Sequence, residues 1–505
     1  MEARAQIPVH PPVPDPLPSY WHSPKSPLAN TIEPEPDASI SVNPQTYDHA
    51  IIGSGISGTA IAYHVLSRFP SAKVIMFEAR EACGGATGRN GGHTKAASYR
   101  TYLQHREELG TEEARRIAQL EYANILETHR LAKEIKIDCE SVLCNTVDII
   151  YNSETFERGE EAISILQADA TEAEREEGAM AWYKTYSAPE AQTQFFVAPK
   201  NENTEVHEQE NVAGAFEYLA GRINAYRFST GILKDCVKKG LHLCTNTPVR
   251  DIIPRTHTSD PNGTLNEIHT SHSTILARNT ILATNGYTPS LLPTMQGIIV
   301  PMRGQITAQR PGKNTKLPAP LPTTYSFIYK SGYEYMVPHQ SLTPDDDDQH
   351  IVIGGGLCRE PQGGAAEFGT VDDSSKNERI SRYLHGSLVG YFGAQNWGEK
   401  PGDEGNRVVR EWTGIMGDTA DGRPFVGKVP GREGVWMSAG FNGHGMVLCL
   451  KAAEALVQMV MGREEYTEWF PQSFLLSEER LRKCIFHGRT DLPRVPETRG
   501  KAIET

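Results

Sequence analysis

From Tyr47 onward, apolar residues come in short blocks whose spacing names their elements. His49-Ala50-Ile51-Ile52 reads as a buried strand, the run from Thr59 to Phe69 is compatible with a helix, and Lys73-Val74-Ile75-Met76-Phe77 reads as a second strand. Thr111-Glu112-Glu113 caps a long helix to about Lys136, with Ala114, Ile117, Ala118, Tyr122, Ile125 and Ala132 near helical spacing. Val142 to Tyr151 then reads as a strand and Glu157 to Gly178 as an acidic, solvated helix. Asn211 to Ala225 carries small residues and glycine, Tyr226 to Lys239 is a helix stopped by Gly240, and Leu241-His242-Leu243-Cys244-Thr245 is the next strand. Val249 to Ala277 alternates like a strand pair about the turn Asp260-Pro261-Asn262-Gly263. Thr280 to Gly286 is a buried strand ending in a glycine turn, the place where an open α/β sheet presents a ligand edge.

The rhythm changes at Ile298. Ile299 to Gln309, Ser326 to Tyr329, Tyr333 to Val337 and His350 to Gly354 are strands with few helices between them, which predicts a second, antiparallel domain. Asp345 to Asp348 lack the spacing of a calcium loop and read as a solvated hairpin tip. Further on, the strand Val435 to Ala439 meets the turn Gly440-Phe441-Asn442-Gly443-His444-Gly445-Met446, and a helix follows from Val447 to Met461, closed by Gly462. The chain thus uses strand, glycine turn and helix twice. No internal repeat is visible.

The first of these devices has the chemistry of a dinucleotide clasp. Gly53 permits a tight strand-to-helix turn, Gly55 lets backbone approach a pyrophosphate, and Gly58 lets the helix pack on the strand. Phosphates would sit on the free amides of the helix N-terminus. Glu78 ends the second strand, placed to accept from a ribose and to repel a 2′-phosphate. The loop Gly84-Gly85-Ala86-Thr87-Gly88-Arg89-Asn90-Gly91-Gly92-His93 has five glycines in ten residues, so its amides can come close to a ligand, with Arg89 and Asn90 as added donors.

Composition narrows the class without choosing a substrate. The chain has 505 residues, enough for two or three domains, and 38% of them are hydrophobic. A net charge of -13 argues against a nucleic-acid or anionic-membrane partner. No segment approaches the ~20 continuous apolar residues that span a bilayer, and residues 1–46 lack the apolar core of a secretory signal, so the expectation is a cytoplasmic protein. Eight cysteines without CxxC pairs predict buried thiols and no metal site. The first 46 residues are proline-rich and read as a flexible leader, with Tyr20-Trp21 and Ile32 as the residues able to pin it.

Together these motifs resemble the flavin-dependent amine and amino-acid oxidases of the D-amino-acid oxidase superfamily, in the glycine, sarcosine and γ-glutamylputrescine oxidase branch. The likeness rests on Gly53 to Gly58 with Glu78, the GATGRNGG loop, Ala283-Thr284-Asn285-Gly286, Pro301-x-Arg303-Gly304-Gln305, Asp421 to Gly427 and Gly440 to Gly445, and it spans residue 47 to about 465. The resemblance implies an α/β fold with a Rossmann-like FAD-binding domain built discontinuously and an antiparallel α+β substrate domain. It divides the chain into an arm (1–46), FAD-binding parts (47–100, 211–297 and 406–465), a helical region that starts the substrate domain (101–210), the antiparallel substrate domain (298–405) and a tail (466–505).

In that family likeness Gly53, Ser54, Gly55, Ile56, Ser57, Gly58, Glu78, Ala79 and Arg80 hold the ADP half of FAD, with Val249, Ala283, Thr284 and Gly286 on the same cofactor. Ala86, Thr87, Arg89, Asn90, Gly91, Gly92 and His93 pass near the flavin ring, while Asp421, Gly440, Asn442, Gly443, His444, Gly445 and Met446 complete its surroundings. A helix N-terminus at the last turn would stabilise charge on a reduced ring by ~0.3–1 kcal/mol. Several sarcosine oxidases bind flavin through a cysteine, for which Gly414 stands here, so the FAD is expected to be dissociable.

The expected reaction moves hydride from the C–H beside a neutral amine to flavin N5, which asks for contact and orientation more than for an acid–base pair. The imine would then hydrolyse, with oxygen as acceptor giving hydrogen peroxide. His93 and His444 stand as catalytic candidates beside the ring or as structural donors. Arg303, Arg423 and Tyr333 stand either as binders of a carboxylate or amine or as packing residues. Two further readings stay open: an FAD dehydrogenase with another acceptor, and a non-enzymatic nucleotide-binding redox sensor.

Overall fold

The strand Thr46–Ile52 lies inside the first of two sheets because its apolar side chains have cores on both sides. Ile51 packs with the helix Ile56–Arg68, while Ala50 and Ile52 face a separate cluster with Ile75, Phe77 and Leu282. The computed structural model describes residues 1–31, 46–255, 265–271, 273–340, 349–400 and 407–486. Ile32, the turn Asp260–Gly263 and the acidic run Asp345–Asp348 lie outside the described residues.

The first sheet runs Phe425–Lys428, Val435–Ala439, Thr274–Leu282, Thr46–Ile52, Val74–Phe77, His242–Cys244 from edge to edge. The inner pairs are parallel, and Phe425–Lys428 is antiparallel to its neighbour. A ribbon of Asp251–Arg255 and Leu265–His269 extends from Thr274–Leu282.

The second sheet runs Val408–Thr419, Ile299–Gln309, Gln349–Gly355, Gly332–Gln340, Thr324–Tyr329, Val142–Ile150, Gly214–Arg222, His93–Thr94, with Lys184–Ser187 added to Gly214–Arg222. It is antiparallel except where Thr324–Tyr329 pairs parallel with Val142–Ile150. The expected boundaries at 211 and 406 give way to strand membership, since Gly214–Arg222 and Val408–Thr419 belong to this sheet.

Alternation gives the second sheet two different faces. Val147, Ile149, Tyr325, Phe327 and Met336 face one way and pack against the helix Glu378–Trp397, where Tyr391 stacks on Phe327 with centroids 3.9 Å apart. Thr146, Asp148, Ser326, Tyr333 and Tyr335 alternate to the other face. This polar face carries His93, the last residue of the glycine-rich loop.

Three elements escape the apolar pattern, two of them because glycine interrupts them. In Gly214–Arg222 a Cβ on Gly214 would stand 2.4 Å from Phe156, and one on Gly221 2.2 Å from His129. The neighbours therefore need glycine where strand propensity argues against it. In the helix Glu378–Trp397, Gly386 and Gly390 admit Asn203 and Asn201, whose atoms would lie 2.7 and 2.6 Å from added Cβ atoms. The helix Tyr99–Leu109 has too few apolar residues to show a stripe, and buries only Tyr99 and Tyr102. The acidic helix starts and ends earlier than expected, at Ser153–Asp169. Residues 1–31 also depart from the expected flexible leader: Tyr20 and Trp21 are buried, and the segment is bonded along both sheets.

Candidate active site

The clasp forms where Thr46–Ile52 hands over to the helix Ile56–Arg68. Gly53 takes φ +105°, and a Cβ there would lie 2.6 Å from the Ala283 carbonyl oxygen. At Gly58 a Cβ would lie 1.9 Å from the Gly53 carbonyl oxygen, so helix and strand approach as only glycine allows. Gly55 is the N-cap residue and provides no side-chain cap, and the Ile56 amide donates to Thr87 Oγ1 at 2.9 Å. Ser57 Oγ donates to Ser438 Oγ at 3.2 Å and thereby ties the helix to Val435–Ala439.

Glu78 stands at the end of Val74–Phe77. Its carboxylate accepts from the Ser54 amide and hydroxyl at 3.0 and 2.7 Å and from the Arg80 amide at 3.0 Å. A carboxylate has about four lone-pair sites, which leaves capacity for a ribose hydroxyl. Arg80 points elsewhere: its guanidinium binds Asp373 through two bonds of 2.9 and 3.1 Å. Ala79 and Thr284 are half-buried beside these groups in chain position, Val249 and Ala283 are core residues, and Thr284 shares a hydroxyl bond of 2.9 Å with Thr288.

The loop after the clasp is held by its carbonyls. Gly88, Arg89, Asn90 and Gly91 carbonyl oxygens pair with Ser19 Oγ, Trp412 Nε1, Trp21 Nε1 and His339 Nε2, and Gly92 accepts from the Ile223 amide. Arg89 is buried and donates to the carbonyls of Gly84, Thr413 and Leu17, so it organises backbone. Asn90 accepts from the Gly92 amide at 2.7 Å and donates to the Thr87 carbonyl at 3.1 Å. Ala86, Thr87 and Gly88 form a single 3-10 turn.

At the second turn, Asn285 does what the sequence left unassigned. Its side-chain oxygen, held at a residue with φ 44°, accepts from the Gly440 and Phe441 amides at 3.0 and 3.1 Å. Asn442 accepts from the Thr419 amide at 2.9 Å, Gly443 is exposed, and His444 Nδ1 lies 2.8 Å from the Asn442 carbonyl oxygen. The following helix starts at Cys449, after a 3-10 turn at Gly445–Val447 that includes Met446. Its first-turn amide at Lys451 donates to Asn124, which in turn donates to the Met446 carbonyl. Gly286 packs so that a Cβ would meet the Met416 carbonyl oxygen at 2.3 Å. Asp421 is bonded to Arg423 and, at 2.8 Å, to Arg480 of the tail; these arginines hold its carboxyl below the usual range against the effect of burial.

On the polar face of the second sheet the structure separates two residues expected together. Tyr333 is on that face. Arg303 alternates to the opposite side, where it bonds Glu367 at 2.6 Å and Ser375 at 2.7 Å. The cation that does meet Tyr333 is Arg100, 4.1 Å from the ring centroid and without a hydrogen-bond or ion-pair acceptor for its guanidinium among the described residues. No sequence signal marks Arg100, one of two arginines in a polar helix.

Next to Arg100, Lys95 pairs with the buried Asp148 and donates to Ser326 at 2.6 Å; Tyr99 and Tyr218 also donate to Asp148, at 2.7 and 3.0 Å. Burial lowers the Lys95 pKa to about 8 although Asp148 opposes it. His93 lies 2.7 Å from Thr324 Oγ1, and burial, then Lys95 and His339, hold its pKa well below the ordinary value, so the ring is neutral. His444 belongs to the other turn. Among the described residues no cluster of His, Cys, Asp or Glu could hold a metal ion, and no helix is long and apolar enough to cross a membrane.

Fold and site together define an α/β nucleotide-binding protein whose second layer offers a polar face beside the nucleotide loop. The residues present fit FAD: a helix start whose N-cap residue, Gly55, has no side chain to compete with a pyrophosphate, an acid with spare acceptor sites for the ribose, and a glycine loop leading to the second sheet. A family model described as FAD dependent oxidoreductase (DAO) matches residues 48–459, and the chain belongs to this family. It is an FAD-dependent oxidoreductase. The probable oxidoreductase OrdL of Haemophilus influenzae is 20% identical over 422 residues, 83% of this chain and 84% of that protein. A glycine oxidase of Pseudomonas putida is 24% identical over 250 residues, 49% of this chain and 58% of that one. The crystal structure of glycine oxidase from Geobacillus kaustophilus superposes with a TM-score of 0.61 at 20% identity, covering 86% of this chain and 99% of the other.

Proposed function

We propose that the protein oxidises the C–N bond of an amino acid, or of an amine that carries an anionic group, with oxygen as acceptor and an imine and hydrogen peroxide as products. The observation that carries this reading is Arg100, a guanidinium stacked on Tyr333 without an acceptor of its own among the described residues, on the sheet face that also carries His93. The names of the relatives, glycine oxidases among them, fit the same reading.

FAD, when bound, supplies the two-electron acceptor for the C–H beside the amine nitrogen and passes the electrons to oxygen. The chain's own residues bind and orient. Arg100 takes the substrate carboxylate in a two-point bond, and the rings of Tyr333 and Tyr335 wall the same face. Burial lowers the Lys95 pKa to about 8 although Asp148 opposes it, so a fraction of its Nζ is neutral near physiological pH and that form can accept the proton of an arriving ammonium. His93, neutral, holds the loop to the sheet through Thr324 and leaves no extra positive charge there.

Anaerobic mixing with matched panels of amino acids and decarboxylated amines tests the proposal. Bleaching by the acids, with one peroxide formed per oxygen consumed in air, is the expected result. Bleaching without peroxide in air would move the function to a dehydrogenase with another acceptor. Arg100→Met is expected to raise KM for carboxylate substrates about 10- to 100-fold, the loss of one charged hydrogen-bonded contact. Acid precipitation is expected to leave FAD in the supernatant, because Gly414 offers no thiol and the described cysteines near the clasp and the second turn, Cys83 and Cys449, are buried.

A further inference from the structure

The loop that passes from clasp to substrate face is poorly able to order itself, and the family match does not include what orders it. Five glycines in residues 84–93 give the backbone more freedom to lose on ordering than residues with side chains would. Its carbonyls from Gly88 to Gly92 depend on donors outside the loop. Two of those donors lie in the arm: Ser19 Oγ donates to the Gly88 carbonyl at 2.7 Å and Trp21 Nε1 to the Asn90 carbonyl at 2.5 Å. A third link runs the other way, from Arg89 to the Leu17 carbonyl at 2.9 Å. The arm sits so close that a Cβ on Gly88 would lie 2.5 Å from the His22 ring.

The arm is itself anchored to both layers. Tyr20 stacks near Trp412 and its hydroxyl lies 2.7 Å from His350 Nδ1, while Trp21 meets His339 edge-on with centroids 4.7 Å apart. Lys25 pairs with Glu81 at the clasp side. The family match begins at residue 48, so Ser19 to His22 lie outside it.

We propose that Ser19 and Trp21 are positioning residues for the cofactor: they fix the Gly88 and Asn90 carbonyls, so that the loop is already ordered when FAD arrives. The ordering entropy is then lost in folding, and FAD binds more tightly than the loop alone would allow.

Ser19→Ala and Trp21→Phe each delete one donor, and the phenyl ring keeps the packing against Tyr20 and His339. FAD binding to the apoprotein, followed by quenching of flavin fluorescence, should weaken about 5- to 10-fold in each single variant. The far-UV circular dichroism of the apoproteins should stay that of wild type. Amides of the 84–92 loop should exchange with solvent faster in both apo variants. An unchanged dissociation constant in both, even with a lowered apoprotein midpoint, would overturn the proposal and leave the arm as a general brace. If Trp21→Phe fails to fold, Ser19→Ala decides, since it removes a single hydroxyl.

Discussion

At the scale of single residues, the surprises are charged groups that the fold buries. Glu121, on the helix Thr111–Glu134, is 7% exposed and accepts one bond of 2.5 Å from Ser98. Burial pushes its pKa up to about 7, above the ~4.3 of an unfolded chain. The folded state therefore binds this proton more tightly, and the stability it contributes is present below about pH 4.5 and lost as pH rises to about 7. Glu121→Gln should remove that slope and be more stable than wild type at pH 8 by on the order of 2–3 kcal/mol, with the two nearly equal at pH 4.5. Urea unfolding at both pH values checks it, and parallel profiles would refute it. Residues of this kind explain what was legible in the chain. His93 stood out because it ends a glycine-rich loop, whereas Arg100 and Glu121 look like ordinary surface charges on polar helices until the fold places them.

Among elements, the short-range ones were readable and the long-range ones were not. The clasp could be found from residues 47–78 because turn, helix start and terminal acid are all local. Gly214–Arg222 could not, because its glycines answer to Phe156 and His129, which belong to other elements. Arg303 and Tyr333 are both candidates in the sequence for binding a carboxylate or amine, yet strand alternation and pairing put them on opposite faces. Only the register, which the local pattern does not contain, decides such a question. The clasp offers the element-scale prediction. Gly58→Ala drives a methyl into the Gly53 carbonyl, backbone that cannot rotate away, and should cost about 2–4 kcal/mol of stability. Calorimetry of the variant against wild type reads the loss, and an unchanged midpoint would contradict the close approach.

For the whole molecule, the two sheets are joined by a buried charge cluster. Asp373, fully buried, lies among residues that follow the second sheet's strands, and it receives two bonds from Arg80 and an ion pair of 3.6 Å from Arg89, both on the nucleotide side. Removing the acid strands two buried cations, so Asp373→Ala should destabilise by about 3–5 kcal/mol. Its equilibrium unfolding in urea is the measurement, and a loss under 1 kcal/mol would mean the cluster is solvated. The discontinuous first sheet also sets a timetable for synthesis. Thr274–Leu282 gains its inner neighbour Val435–Ala439 only about 150 residues later, which at ribosomal speed is roughly 8–30 s with one strand edge open. Tyr20 and Trp21 leave the ribosome first but dock on His339, His350 and Trp412, so the nascent arm must wait for nearly the whole polypeptide. Cofactor loading is thus a late event in the life of each chain, and a nascent polypeptide halted before Val435 should carry no flavin and should recruit chaperones that bind exposed strand edges.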